Sequence, residues 1–74
     1  IRIYTKEPRK APSKEPMIVN ENTTVSGAAE KILKGMSKII KKTKVWGPSS
    51  KFGGQQVGLN HILKDKDILE FQTT

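Results

Sequence analysis

Apolar and polar positions alternate in two rhythms along this chain, and the switches between them outline a small mixed fold. Ile1-Arg2-Ile3-Tyr4-Thr5-Lys6 repeats with period two. It predicts a half-buried strand with Ile1, Ile3 and Thr5 on one face and Arg2, Tyr4 and Lys6 on the other. Residues Glu7 to Pro16 hold three prolines and predict a loop with Pro12-Ser13 at its apex. Met17-Ile18-Val19 predicts a short second strand, and Asn20 to Thr23 a turn. The rhythm then lengthens. Val25, Ala28, Ala29, Ile32, Leu33 and Met36 fall on one face of a helix. Thr24 or Thr23 is positioned to cap its start. Ile39 and Ile40 keep the phase, so a last frayed turn is expected to run to about Lys41. Gly35 costs about 1 kcal/mol relative to alanine inside a helix, so the end is least defined there.

Period two returns from Lys42 to Gly47. Thr43 and Val45 point inward, and Lys42, Lys44 and Trp46 share the outer face. Gly47-Pro48 ends this strand, and Ser49 to Gly54 is a loop. Gln55-Gln56-Val57 predicts a very short strand. Gly58 to Leu63 suits one helical turn with Leu59, Ile62 and Leu63 inward. Lys64 to Asp67 is a turn, and Ile68 to Phe71 closes as a strand. Leu69 and Phe71 share one of its faces, Ile68 and Glu70 the other. This order predicts an α+β, two-layer fold of β-grasp (ubiquitin-like) arrangement. A mixed sheet of four to five strands carries one helix across one face and leaves the other face open.

The chain has 74 residues, enough for one domain. Such a domain buries only about 60% of its unfolded surface. Domains this small often need disulfides, a metal or a larger host. There is no cysteine and His61 is the only histidine, which excludes disulfides and zinc sites built from thiolates or several histidines. A domain attached to a larger protein is the expectation. The start at Ile1, without an initiator methionine and already in strand rhythm, agrees with that and suggests no leader or tail. No signal peptide or apolar run of membrane-spanning length is present, so the cytoplasm is expected and a membrane partner is not.

The net charge of +7 matters chiefly through its distribution. No acidic residue occurs between Glu30 and Asp65, and that interval holds Lys31, Lys34, Lys38, Lys41, Lys42, Lys44 and Lys51. On a helix, Lys31, Lys34 and Lys38 would form a basic ridge opposite the apolar stripe. A concentrated positive field suits a polyanion such as RNA. A solvated lysine face that keeps a small domain soluble is the plainer alternative.

No nucleophile–base pair, metal-ligand cluster or phosphate loop is legible, so a binding module is expected rather than an enzyme, with no catalytic, cofactor-binding or metal residues. Gly53-Gly54-Gln55-Gln56, beside Ser49-Ser50-Lys51, could cradle an anion, but turn geometry alone accounts for the glycines. His61 reads as a half-buried ring bonded to the following turn. Asp65 and Asp67 read as acceptors of backbone N–H bonds in a tight turn. Trp46 is expected on the outer face, because burying it would also bury Lys42 and Lys44 without partners. Rings interleaved with cations, with Tyr4, Arg2 and Lys6 on the same face, suit stacking on unpaired bases and equally suit docking of a protein.

The segments VWG (Val45–Gly47), SKF (Ser50–Phe52) and Gln55–Phe71 resemble the TGS domain found in threonyl-tRNA synthetases, certain GTPases and ppGpp synthetase/hydrolase enzymes. The VWG start and the spacing of Gly58, His61, Asp65 and Asp67 are most similar to the developmentally regulated GTP-binding proteins of the Obg-related GTPases. RIYTK (Arg2–Lys6) and the helix entry from Thr24 to Ile32 agree with it. Ser26-Gly27 stands where similar proteins usually place an acidic pair, no aromatic stands near Lys42, and the first loop lacks the usual Pro-Asp.

The resemblance implies that residues 1–74 are a regulatory or ligand-binding TGS domain, with the GTPase domain N-terminal to Ile1. GTP and Mg would belong to that domain alone, since this chain has no G-x-x-x-x-G-K-[ST] sequence. RNA or the ribosome is the expected partner, contacted through Tyr4, Lys31, Lys34, Lys38, Lys41, Lys42, Lys44, Trp46 and Lys51. The alternatives are docking of the parent GTPase domain or a regulatory protein on the open sheet, and nucleotide or anion sensing. The isolated domain is expected to be monomeric.

Overall fold

The computed structural model describes residues 1–6 and 11–73. Strands β1 (Arg2–Lys6), β2 (Met17–Ile18), β3 (Ile40–Trp46), β4 (Gln55–Val57) and β5 (Asp67–Thr73) form one sheet in the order β2-β1-β5-β3-β4. β1 runs parallel to β5, and the other neighbours are antiparallel. Helix α1 (Val25–Ile32) crosses from the β2 side to β3. This is the β-grasp arrangement, with a mixed sheet and one helix.

The core lies between α1 and one sheet face. Ile3, Val25, Ala28, Val45 and Leu69 are fully buried there, joined by Val19 and Leu63. Thr43 and Val45 turn inward on β3, and Lys42, Lys44 and Trp46 turn outward. The alternation is therefore kept through the strand, after a register irregularity between Ile40 and Lys42.

Thr24 caps α1: its side chain accepts from the Gly27 amide at 3.2 Å. The helix is shorter than its apolar pattern predicts. It ends at Ile32, because Gly35 turns the chain with φ of +86°. Glu30 holds that turn, its Oε1 accepting from the Gly35 amide at 2.9 Å and its Oε2 from the Ser37 amide at 2.8 Å. A single 3₁₀ turn, Met36–Lys38, follows, and Ile40 already belongs to β3. The apolar series consequently divides. Val25, Ala28 and Ala29 are buried, whereas Ile32 and Leu33 are exposed.

Gly58 to Leu63 is not a helical turn. The backbone here serves α1: the His61 and Leu59 carbonyls accept from the Val25 and Ser26 amides, both at 3.0 Å. Leu63 in turn donates its amide to the Thr23 carbonyl at 2.9 Å. Amides in the first turn of a helix have no partner within it, and this segment supplies one. Of the three side chains expected inward, only Leu63 is buried, and Ile62 is 51% exposed. Pro12-Ser13 is likewise no apex, since Ser13 folds back and donates its amide to the Thr5 carbonyl at 2.8 Å. The part of that loop from 7 to 10 lies outside the described residues.

Candidate functional site

The register of the three central strands builds the outer face in rows. Tyr4, Ile68 and Trp46 are neighbours across β1, β5 and β3. Lys6, Glu70 and Lys44 form the next row, which continues to Gln56 on β4. Lys42 stands opposite Gln72 beyond that. Tyr4, Lys42, Lys44 and Trp46 are thus brought onto one surface, as period two requires. Lys41 is exposed at the irregularity in β3, and Lys51 is exposed in the loop that follows it.

The other three lysines go elsewhere. Lys31 lies on α1 and its ammonium donates to the Ile18 carbonyl on β2. Lys34 is in the turn after the helix, and Lys38 is in the 3₁₀ turn. They do not form one helical ridge, because the helix stops before Lys34.

Glu70 is almost fully buried although it lies on the outer face. Its Oε1 accepts from Lys6 Nζ at 2.7 Å and its Oε2 from Gln72 Nε2 at 3.1 Å. The Lys6 hydrogen bond, then that of Gln72, holds its pKa below the ordinary value. Lys6 Nζ also sits 4.9 Å from the centre of the Trp46 ring, within range of a cation–π contact. Ile68, Lys6, Trp46 and Pro12 line a shallow hollow on this face.

Trp46 is half-buried, and the loop beyond β3 covers it. A Cβ on Gly53 would come within 3.0 Å of the indole Cδ1, and one on Gly54 within 3.4 Å of Cζ2. Gly54 also has φ of +79°. The two glycines therefore let the chain pass over the ring.

Several amides of that loop, residues 47–54, already have acceptors. The Ser49 amide donates to Asp67 Oδ1 at 3.1 Å, and the Ser50 amide to the Gly47 carbonyl at 3.0 Å. The Lys51 amide donates to Gln55 Oε1 at 2.7 Å, and the Gly54 amide to the Val45 carbonyl at 3.0 Å. Those four amides are therefore not available to an anion cradle.

Asp67 anchors the arrangement. It is fully buried, and its second oxygen accepts from the Lys64 amide at 2.7 Å. Gly47, with φ of +140°, passes so close that a Cβ there would lie 2.6 Å from Asp67 Oδ1. Asp65 accepts from the Arg2 amide at 2.7 Å, and this bond is the first cause of its lowered pKa. Both aspartates hold backbone, as their turn position predicts.

His61 bonds back to the β3–β4 loop rather than to the following turn, its Nε2 lying 3.0 Å from Ser49 Oγ. A Ser–His contact alone is not a catalytic apparatus. Asp67 commits both oxygens to amides, and among the described residues no carboxylate orients the imidazole. Nor do the described residues bring three candidate metal ligands together.

Two features of the site go beyond strand alternation. Lys6 is central to the outer face, through Glu70 and Trp46. Phe52 is 64% exposed in the loop. Its signal was a lone aromatic among glycines and serines, beside Lys51.

The family model described as the TGS domain matches residues 1–73. The chain belongs to the TGS domain family. This TGS domain is 43% identical over 70 residues to an uncharacterized GTP-binding protein of Methanocaldococcus jannaschii, covering 93% of this chain and 18% of that protein. A GTP-binding protein of Halobacterium salinarum is 37% identical over 70 residues, covering 93% and 19% respectively. Developmentally-regulated GTP-binding protein 1 of Xenopus laevis is 35% identical over 72 residues, covering 95% and 20%. The TGS domain thus spans about a fifth of the length of these relatives. Among the described residues, no helix is long and apolar enough to cross a membrane.

Proposed function

We propose that this TGS domain is a non-catalytic recognition module of a cytoplasmic GTP-binding protein, and that it contacts RNA in translation, such as that of the ribosome. GTP and Mg belong to the GTPase domain of that parent. The observation that carries the reading is the charge on β3 and its following loop. Lys41, Lys42, Lys44 and Lys51 lie in a stretch without a carboxylate, and Lys41, Lys42 and Lys51 are exposed. Such a surface attracts phosphates and steers a polyanion toward it.

The test is RNA binding at several salt concentrations, read by fluorescence anisotropy. Log K falls linearly with log salt, with a slope of about −0.7 per phosphate neutralised on a single strand. Replacing Lys41, Lys42 and Lys51 together by alanine reduces that slope by about 2. An unchanged slope sinks the reading.

A second reading has its own observation. Ile32, Leu33 and Ile39 are 44%, 59% and 48% exposed near the end of α1. An apolar patch of this kind suits a protein contact, and the remainder of the parent protein is the partner we assign to it. Protein docking is then a property of the helix side rather than of the open sheet. It predicts that Leu33→Ser weakens association with the rest of the parent, with little salt dependence. Nucleotide or anion sensing by the β3–β4 loop has the least support, given where its amides are spent.

A further inference from the structure

We infer that Phe52, presented by the β3–β4 loop, is a stacking platform for an unpaired RNA base, and that Lys51 beside it holds the adjoining phosphate. The inference deepens the RNA reading above and rests on it.

Trp46 would be the first choice for stacking by ring size. Its ring, however, is half-buried, with Lys6 Nζ 4.9 Å from its centre and Gly53 and Gly54 packed against it. Phe52 differs in its exposure. It is 64% exposed, it belongs to the loop that covers Trp46, and it lies next to an exposed lysine.

The loop is also built to hold its shape. Ser50 closes it on both sides, its Oγ donating to the Gly47 carbonyl at 2.8 Å and accepting from the Gly47 amide at 3.2 Å. The Phe52 carbonyl accepts from the Gln55 amide at 3.3 Å. Asp67, His61 and Gln55 fix Ser49 and Lys51 from outside. A ring held by such a frame loses little freedom on binding. The amides of Ser49, Ser50, Lys51 and Gly54 are already donating, and the loop presents the exposed Phe52 ring and the Lys51 ammonium side by side. A base with its phosphate matches that pair, and stacking tolerates any base.

The experiment measures binding of a single-stranded RNA dodecamer of mixed sequence, labelled with fluorescein, to the whole chain and its Phe52 variants. Phe52→Ala weakens binding by about fivefold to a hundredfold and leaves the salt slope unchanged, because no charge is lost. Phe52→Trp retains or improves affinity. Phe52→Leu keeps apolar area without a ring and behaves like Phe52→Ala. Lys51→Ala instead lowers the slope by about 0.7. Amide spectra of each variant check that the fold is kept. Full affinity in Phe52→Ala, with RNA still bound by the parent sequence, overturns the stacking role and leaves the RNA reading standing. Full affinity in Phe52→Leu overturns it as well, since the contact is then plain apolar docking. No binding of RNA by the parent sequence overturns both.

Discussion

The two ends of the central strand β3 carry opposite kinds of surface. At its far end, the loop over residues 47–54 has most of its amides partnered and its glycines fitted to a ring and a carboxylate. At its near end, the chain between α1 and β3 leaves Ile32, Leu33 and Ile39 exposed around a turn held mainly by Glu30. The first region is shaped by directional bonds, so it presents a fixed contour. The second is shaped by apolar area with little covering it. Rigidity and stickiness thus sit at different ends of this domain, which suits two kinds of contact.

The far end is most vulnerable at Asp67. Asp67→Ala leaves the Ser49 and Lys64 amides without their acceptor and costs about 2–4 kcal/mol in urea unfolding. Gly47→Ala attacks the same junction through backbone strain and a clash with that carboxylate, for about 1–3 kcal/mol. The near end behaves differently. Leu33→Ser changes stability by no more than about 0.5 kcal/mol, because that side chain is already in water. A large loss in Leu33→Ser would mean that the two ends are alike.

Acid reaches both ends through their carboxylates. Hydrogen bonds from the Ser37 and Gly35 amides hold the Glu30 carboxyl below its ordinary pKa, as Lys6 does for Glu70 and the Arg2 amide for Asp65. Groups with a lowered folded pKa contribute stability that is complete above the unfolded value and lost as pH falls through the folded one. Melting temperature is therefore flat from neutrality down to about pH 5 and falls below about pH 4. Glu70→Gln removes part of that fall on the sheet side, and Glu30→Gln removes part of it at the helix end. A melting temperature that rises on acidification would contradict these assignments.

Much of this architecture was legible where periodicity governs. Thr43, Val45 and Leu69 point inward, and Lys42, Lys44 and Trp46 point outward, because a strand allows no other assignment once one residue is fixed. Thr24 as the cap needed only local chemistry. What escaped depended on contacts across several residues or across the chain. Ile39 and Ile40 kept helical phase, yet Gly35 and the Glu30 carboxylate turned the chain first. Leu59, Ile62 and Leu63 had helical spacing, yet their backbone was needed by the first amides of α1. Within the candidate site, the outer-face residues followed from alternation, whereas the cover over Trp46 and the exposure of Phe52 required the folded loop.

The most direct test of the account is amide-shift mapping of the isotope-labelled domain during titration with single-stranded RNA. An RNA contact on β3 and its following loop predicts shifts along Lys41 to Lys44 and across Lys51 to Gly54, with Ile32 to Ile39 unmoved. Shifts centred on Ile32 to Ile39, or none at saturating RNA, would contradict it.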